Sequence, residues 1–343
     1  MVVVIIRSIM KILFTSYVFA PSLGGIESVS SLLVLEFLKA GHEVKVVTKT
    51  RETDDVPRPY DLIRDPGPSE LLKLTQWCDV FFQNNISLVL SWPLLFIRRP
   101  WIVAHHTWLN DSEKLFDFRP RLKRFLLRYA TNASISKPIA DALPVSSVIV
   151  GNPYAPEIFR QIPEVPRDRE LLFLGRLVSD KGIDLILEAL AELRRRGLTP
   201  RLSIIGFGPQ LPLLKEMAEG LNVASQVEFI GPMKGDELAH AVNAHQIMIV
   251  PSYWSEPFGL VALEGIACGC AVIASHNGGL PEAVGPCGMT FQPGDSMALA
   301  NAIQKGLTQP QFRENLQREA KAHLEKFNPA EVARRYLELF TQS

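Results

Sequence analysis

Apolar residues in the first half of the chain come in short runs of strand length, separated by polar or helical segments. Uninterrupted apolar runs of roughly four to eight residues are typical of strands buried on both faces of a parallel sheet. Six candidate strands follow from this pattern: Lys11–Ser16, Glu43–Thr48, Asp79–Asn84, Trp101–His106, Ala133–Ser136 and Ser147–Asn152. Strands that alternate with helices predict a doubly wound α/β domain.

The second half repeats the strand, turn and helix pattern more clearly, in four units from Leu171 to about Met289. Strands are expected near Leu171, near Leu202, at Val227–Met233 and at Ile247–Ser252. A buried helix is expected to begin near Phe258. The polar and glycine-rich motifs follow the strands, which is where ligands bind in open α/β sheets.

A change of composition marks the boundary between the two halves. The segment Gln161–Glu170 is rich in proline and charge, and a new strand follows it directly. With 343 residues the chain exceeds a usual single core, so two domains are expected. We predict a first Rossmann-like domain over residues 1–160, a second over 161–325 and a final helical segment over 326–343.

Composition excludes several classes of function. Lysine plus arginine equals aspartate plus glutamate at 36 each, so no net charge favours nucleic acid. The four cysteines lack C-x-x-C spacing, which favours free thiols in a reducing, cytoplasmic compartment, and no metal site is expected. The apolar run before Met10 is too short for a signal sequence or membrane span, and either Met1 or Met10 fits as the start.

The segment Pro251–Glu282 carries the most specific chemistry. Glu256 and Glu264 stand eight positions apart around a Pro-Phe-Gly turn, and a Gly-Gly-Leu-Pro-Glu loop follows. The amides of Phe258, Gly259 and Leu260 would be free donors at a helix N-terminus, which suits an anion. At roughly 1.5 Å per residue, Glu264 lies on the order of 10 Å from the helix start. The two carboxylates are therefore expected to reach different parts of one long ligand.

Two cations and two glycines follow earlier strands of this half. Arg176 and Lys181 fall in the turn after the strand at Leu171, where they suit a diphosphate leaving group; alone, solvated turn charges would explain them equally. Gly206 and Gly208 end the next strand and could admit a flat base against the backbone.

Together, E-x7-E, G-R-x4-K-G and the Gly-Gly-Leu-Pro-Glu loop resemble the retaining GT-B glycosyltransferases of glycosyltransferase family 4, also called group 1. The resemblance implies two Rossmann-like domains facing a central cleft, with a last helix that crosses back to the first domain. It also implies that Glu256 contacts hydroxyls of the donor sugar, Glu264 holds the ribose, and Arg176 and Lys181 contact the pyrophosphate.

The resemblance assigns further donor contacts. The backbone around Ile230, with the preceding glycine-rich turn, is implied to frame the nucleobase. Gly24 and Gly25, in a G-G-x-E pattern before a long helix, resemble the family's first glycine loop; a flexible turn remains the alternative. Of the His pair after the fourth strand, alignment selects His106 beside the donor sugar and leaves His105 within the strand.

The expected activity is transfer of a hexose from a nucleotide diphosphate sugar, UDP- or GDP-hexose foremost, to a hydroxyl of a glycan, glycolipid or small molecule. Retention of configuration, no cofactor and no metal ion are expected, with polysaccharide biosynthesis as the commonest role in the family. A GT-B nucleotide-sugar epimerase and a non-catalytic partner of another transferase remain alternatives. A nicotinamide dehydrogenase is disfavoured, because no G-x-G-x-x-G follows the first strand.

A basic cluster leaves two interpretations open. Between Arg119 and Arg128 the apolar residues fall on one helical face and most cations on another. This pattern is compatible with a helix lying on the anionic inner face of a membrane. It is equally typical of a surface helix whose apolar face belongs to the core.

Overall fold

The computed structural model describes residues 9–21, 24–54, 56–109 and 118–342. The apolar run that precedes Met10 falls almost entirely outside the described residues, and so does Met1. The chain divides into two compact units. One unit runs up to Pro153 and includes the residues from Pro329 onward, and the other is Tyr154–Asn328.

The segment Gln161–Glu170, predicted to mark the domain boundary, lies inside the second unit of the structure. The Asn243 side chain anchors this segment: its Nδ2 donates to the Arg160 carbonyl and its Oδ1 accepts from the Ile162 amide, each at 2.9 Å. Arg167 donates to the Cys268 carbonyl at 2.6 Å. The proline- and charge-rich composition therefore belongs to a stretch that is packed against the unit that follows it.

The described part of the first unit forms a parallel sheet of seven strands in the order β3-β2-β1-β4-β5-β6-β7. They are β1 (Lys11–Ser16), β2 (Glu43–Thr48), β3 (Asp61–Arg64), β4 (Val80–Asn84), β5 (Trp101–His105), β6 (Thr131–Ser134) and β7 (Val148–Ile149). In register, Phe14 of β1 lies between Val46 of β2 and Phe82 of β4. Buried apolar side chains of this kind explain why these strands could be recognised from the sequence.

This sheet differs from the sequence prediction in several places: β4 and β5 are each one residue shorter than expected, and the strand expected at Ser147–Asn152 is only Val148–Ile149. The edge strand Asp61–Arg64 was missed, because it is short, polar at both ends and only partly buried. The strand expected at Ala133–Ser136 is Thr131–Ser134, since Ser136 instead caps the next helix and accepts a hydrogen bond from the Ile139 amide. Short strands with polar ends carry a weak periodic signal.

Helices cover the sheet of the first unit. They are α1 (Gly25–Lys39), α2 (Pro68–Trp77), α3 (Leu88–Ser91), α4 (Arg119–Leu126), α5 (Lys137–Asp141) and the last helix of the chain, Pro329–Gln342. The last helix packs on the centre of this sheet: the Tyr336 and Phe340 rings lie 5.1 Å and 5.7 Å from the Phe82 ring, centroid to centroid. Burial of such large side chains ties the chain's end to the first unit.

The described part of the second unit forms a six-stranded parallel sheet in the order β10-β9-β8-β11-β12-β13. Its strands are β8 (Arg169–Leu174), β9 (Leu202–Ile205), β10 (Val227–Gly231), β11 (His245–Val250), β12 (Ala271–Ser275) and β13 (Gly288–Phe291). The order reverses between β8 and β11. Such a switch point opens a crevice at the carboxyl ends of the two central strands.

Helices also cover the second sheet, and its core is almost wholly aliphatic. The helices are α6 (Ile183–Arg195), α7 (Leu211–Gly220), α8 (Gly235–Asn243), α9 (Leu260–Ala267), α10 (Leu280–Val284), α11 (Ser296–Thr308), α12 (Pro310–Arg318) and α13 (Ala320–Glu325). The helix at the end of the chain is α14. Among the described residues, no helix is both long and apolar enough to cross a membrane.

Candidate active site

The predicted site residues of the second unit follow strands on both sides of its switch point. Arg176 and Lys181 come after β8, and Glu256 comes after the neighbouring β11. Gly206 follows β9, and the Gly278–Gly279 pair follows β12. Because all of these strands are parallel, the loops emerge at the same edge of the sheet.

Lys181 and Glu256 form an ion pair at this edge, through Nζ and Oε1. The Ser252 hydroxyl donates to the same Oε1 at 2.8 Å. Both charged side chains are largely shielded, with 18% and 14% of their surface exposed. Among the described residues, Oε2 of Glu256 has no hydrogen-bond partner, so one oxygen of this carboxylate is available to a ligand.

Backbone contacts hold the Lys181 and Glu256 loops together. The Asp180 carbonyl accepts hydrogen bonds from the amides of Tyr253 (2.9 Å) and Trp254 (3.3 Å). The Tyr253 hydroxyl donates to Asp184 Oδ2 at 3.0 Å, and Lys181 Nζ lies 6.0 Å from the centre of the Trp254 ring. This arrangement fixes the separation of the ammonium and carboxylate groups by main-chain geometry.

The Gly-Gly-Leu-Pro-Glu loop supports Glu256 from the other side. The Gly279 amide donates to the Glu256 carbonyl at 2.8 Å. Gly278 has a left-handed φ of +56°, and a Cβ there would collide with the Glu256 backbone. The glycine pair is therefore required by the close approach of two loops.

Helix α9 begins at Leu260, two residues later than predicted, and Gly259 precedes it with a φ of +110°. A Cβ on Gly259 would meet the Leu280 side chain. Phe258 is buried, with its ring centre 5.3 Å from that of Phe327. Within the described residues, no acceptor pairs with the amides of Phe258, Gly259 or Leu260, so the predicted donors at this helix start are free.

Glu264 lies in the second turn of α9. No described residue forms a hydrogen bond or ion pair with its carboxylate, and burial raises its pKa to about 7. A buried carboxylate without a partner is unfavourable in the ionised form. Hydroxyl groups of a ligand would supply the missing donors.

Not all predicted residues join this cluster. Arg176 is exposed directly after Gly175, and no described side chain pairs with it. The glycines Gly206 and Gly208 already have a structural role, because a Cβ on either would collide with the carbonyl of Gly175 or Leu177. Ile230 is partly buried in β10. The contact of these residues with a nucleobase stays a prediction.

The residues predicted in the first unit lie around the ends of its strands. His106 directly follows β5 and is buried: Nδ1 lies 3.0 Å from Asn152 Oδ1, and Nε2 lies 3.1 Å from Asn84 Oδ1. Burial lowers its pKa to about 4, which leaves the ring neutral near pH 7. His105 is the last residue of β5 and contacts Asn132 at 2.9 Å.

Gly24 and Gly25 lie at the start of α1. Gly24 precedes the helix in an extended conformation, and Gly25 is its first residue. A Cβ on Gly24 would meet the carboxylate of Glu27, which lies in the first helical turn. Extended backbone is open to any residue, so the backbone conformation does not itself require glycine at position 24.

Sequence reasoning missed the residues that support the ion pair. Ser252, Tyr253 and Trp254 follow β11, and Asp180 and Asp184 flank Lys181. Polar and aromatic residues directly after a buried strand could have indicated these supporting residues, because ligands bind at the carboxyl-end edge of a parallel sheet. Asn84, the last residue of the buried strand β4, gives a related signal beside His106. In the described chain, no group of three or more His, Cys, Asp or Glu side chains could hold a metal ion.

Two doubly wound parallel units are the components of the GT-B fold of glycosyltransferases. A solved structure of Anabaena Alr3699/HepE in complex with UDP-glucose matches this one with a TM-score of 0.78 at 20% identity, covering 97% of this chain and 100% of that one. Residues 155–323 match the family model of the glycosyl transferases group 1. This part of the chain, which is nearly the whole second unit, belongs to that family.

Curated relatives match about half of the chain. A D-inositol 3-phosphate glycosyltransferase of Rhodococcus opacus is 36% identical over 184 residues, which cover 51% of this chain and 41% of the relative. A glycogen synthase of Mycobacterium tuberculosis is 36% identical over 157 residues, covering 45% of this chain and 38% of the relative. The matched region thus spans about two fifths of the length of these relatives.

Proposed function

We propose that the protein is a retaining glycosyltransferase that moves a hexose from a nucleotide diphosphate sugar to an acceptor hydroxyl without a metal ion. The observation that carries the proposal is the Lys181–Glu256 pair at the switch point, beside helix-start amides and a Glu264 carboxylate that have no partner among the described residues. In a nucleotide diphosphate sugar the diphosphate joins the sugar to the ribose, so a sugar-binding Glu256, diphosphate-binding cations and a ribose-binding Glu264 would together match a single extended ligand.

Each donor group has a matching protein group. Oε2 of Glu256 would accept from a sugar hydroxyl, while the amides of Phe258, Gly259 and Leu260 donate to the sugar or phosphate oxygens. Glu264 would accept from the ribose hydroxyls. Arg176 is exposed, so its side chain can adjust to the position of the diphosphate. Lys181 is held by its ion pair and would offer the diphosphate a contact in a fixed position.

The chemistry requires stabilisation of a leaving group. The bond from the anomeric carbon to the diphosphate oxygen breaks, and a bond to the acceptor oxygen forms on the same face. The acceptor's proton passes to the departing phosphate oxygen, so no protein nucleophile is needed. Lys181 and Arg176 would stabilise the growing negative charge, as preorganised cations do in a water-poor site.

The comparisons support the donor class more closely than the acceptor. The Anabaena structure is described in complex with UDP-glucose, which favours a UDP-hexose first and a GDP-hexose second. The two curated relatives are named for an inositol phosphate and for glycogen, so they suggest different acceptors. The four cysteines are free and buried, in keeping with a proposed reducing, cytoplasmic site of action.

Thermal unfolding against UDP-, GDP-, ADP- and dTDP-sugars, each with and without a chelator, tests the donor class. A ligand that binds only the folded protein raises the unfolding midpoint. We expect one nucleotide sugar to stabilise the wild type regardless of chelator and to have little effect on the Glu264→Ala variant. Failure of every nucleotide sugar to stabilise the protein would contradict the proposal.

Product analysis separates the proposed reaction from its rivals. NMR of the anomeric proton in a glycosylated product should show the configuration of the donor. Incubation of donor without acceptor should leave the sugar unchanged, whereas an epimerase would convert it. Stabilisation by a nucleotide sugar without turnover on any hydroxyl acceptor would instead favour a non-catalytic binding partner.

A further inference from the structure

An apolar groove of about 590 Å³ lies in the first unit, away from its strand ends that carry His106. We name the surface around it the α3–α4 face; it is formed by residues 88–101 and 118–129. The groove is lined chiefly by apolar side chains, among them Trp92, Leu95, Leu122, Phe125 and Leu126. A cavity of this size is in the range that holds ligands rather than isolated waters.

Large apolar side chains project from this face into solvent. Phe96 is 78% exposed, Leu95 68% and Phe125 49%, and Tyr129 is 69% exposed beside them. Helix α4 contains no fully buried residue, although Leu126 packs partly against the core. The core therefore uses only part of the apolar face of α4. Clustered exposed apolar groups of this kind mark a contact surface.

The charge of the same face has one sign. Residues 88–101 and 118–129 contain seven arginines and lysines and not one aspartate or glutamate. Arg98, Arg121 and Arg128 are exposed, and the Arg128 guanidinium lies 5.9 Å from the centre of the Phe125 ring. An apolar centre with a cationic rim is complementary to a surface that is hydrocarbon inside and anionic outside.

We propose that the α3–α4 face docks on an anionic lipid bilayer. Phe96 and Phe125 enter the acyl boundary, the groove walls contact hydrocarbon, and the arginines lie at the headgroup phosphates. A bilayer fits better than a protein partner, because it rewards exposed aromatics together with exposed cations such as Arg98, Arg121 and Arg128, without requiring acidic residues at matched positions. The site lies in the first unit and does not depend on the donor-binding proposal.

Flotation of the full-length protein with vesicles tests this surface. The two vesicle preparations are phosphatidylcholine alone and phosphatidylcholine mixed with phosphatidylglycerol. Each cation near an anionic bilayer contributes a factor of about 5 to partitioning. We expect binding to the mixed vesicles only, a loss of about 25-fold in the Arg98→Gln/Arg128→Gln variant, and a loss of about tenfold in Phe96→Ser.

Matched controls come from exposed residues of the second unit. Arg201→Gln and Leu213→Ser remove the same kinds of side chain elsewhere and should bind as the wild type does. Mixed vesicles whose phosphatidylcholine carries brominated chains should quench the fluorescence of Trp92. The Trp92 signal is the difference in fluorescence between the wild type and a Trp92→Phe variant. Thermal unfolding confirms that each variant is folded.

Three results would overturn the proposal: equal partitioning into both vesicle types, no partitioning into either, or wild-type partitioning by the Phe96→Ser variant. If the protein ignored vesicles and self-associated through this face, the occupant would be a second copy and the bilayer proposal would be wrong. Loss of binding in both the charge and the aromatic variants, with intact binding in the controls, supports it.

Discussion

Lys181 and Glu256 are 75 positions apart in sequence and form an ion pair between loops that follow adjacent parallel strands. Ser252 donates to the same carboxylate oxygen, and the Asp180 carbonyl joins the two loops through the Tyr253 and Trp254 amides. The pair is therefore preorganised by backbone contacts on either side of it. Preorganised charge is effective because it needs little rearrangement as the reaction proceeds.

Replacing Lys181 by Ala should lower kcat by a factor on the order of 10² to 10³, because a fixed cation beside the leaving diphosphate is lost. Steady-state kinetics with the donor identified by thermal unfolding measure this change. Lys215→Ala removes an exposed lysine of the same unit and should retain wild-type turnover. Unchanged turnover in Lys181→Ala would remove this residue from the proposed mechanism.

Gly278→Ala should reduce kcat/KM by at least about tenfold, because the added Cβ would displace the Glu256 backbone that it meets. Gly235→Ala is the matched control: Gly235 has a φ of +57°, nearly the same as +56° at Gly278, but open space around it. Both variants share the cost of a left-handed Ala, about 1 kcal/mol. Equal kinetic effects would show that backbone strain alone, and not the contact with Glu256, explains the loss.

The sequence predicted the strands of the fold more completely than it predicted the contacts within the candidate site. Strands such as Lys11–Ser16 and Glu43–Thr48 were predicted to the residue, because most of their residues are buried between neighbouring strands and carry apolar side chains. The short edge strand Asp61–Arg64 was missed, because it is only partly buried and has a polar residue at each end. The fold class follows from repetition of the strand and helix pattern, which does not require every strand.

For the site, spacing located the chemical groups but not their partners. The E-x7-E and G-R-x4-K-G spacings selected Lys181 and Glu256, and the structure brings these two together. Neither spacing predicts that Asp180 supplies the carbonyl that joins the loops, because that contact depends on which strands are neighbours in the sheet. The glycine at 206 was expected to face a base, whereas its lack of a side chain is already required by the Gly175 carbonyl.

Glu264→Gln should make the unliganded protein more stable at pH 8 while weakening donor binding. Burial raises the Glu264 pKa to about 7 from an ordinary 4.5. Between these values the folded state binds more protons than the unfolded state, so stability from this group is lost as pH rises from 4.5 to 7. Glutamine is neutral throughout, so the variant should gain about 1 to 3 kcal/mol at pH 8 and little at pH 4.5.

Denaturant unfolding at the two pH values measures the gain in unfolding free energy of Glu264→Gln. Calorimetric titration measures its donor affinity, which we expect to fall about 10- to 100-fold because a charged acceptor is lost. Glu216→Gln, an exposed substitution in α7, should change neither quantity. A Glu264→Gln variant that is destabilised at pH 8 would mean that the carboxylate is ionised and satisfied in the free protein.

His106→Gln should remove part of the acid sensitivity of the first unit without changing the shape of the pH–rate profile between pH 6 and 8. Burial lowers the His106 pKa to about 4 from an ordinary 6.5, so the unfolded state binds more protons between these values. Stability from the neutral ring is thus present above pH 6.5 and is lost as pH falls towards 4.

As pH falls from 7 to 4, the wild type should therefore lose about 1 to 3 kcal/mol more unfolding free energy than His106→Gln does. The exposed His240→Gln is the control and should keep the wild-type pH dependence. If His106 orients the donor as a neutral ring, kcat/KM should fall by the same factor at every pH from 6 to 8. A different result would be a fall in the wild-type rate with an apparent pKa near 6.5 that is absent from His106→Gln. It would show that the ring becomes charged during turnover and that ligand binding exposes the ring to solvent.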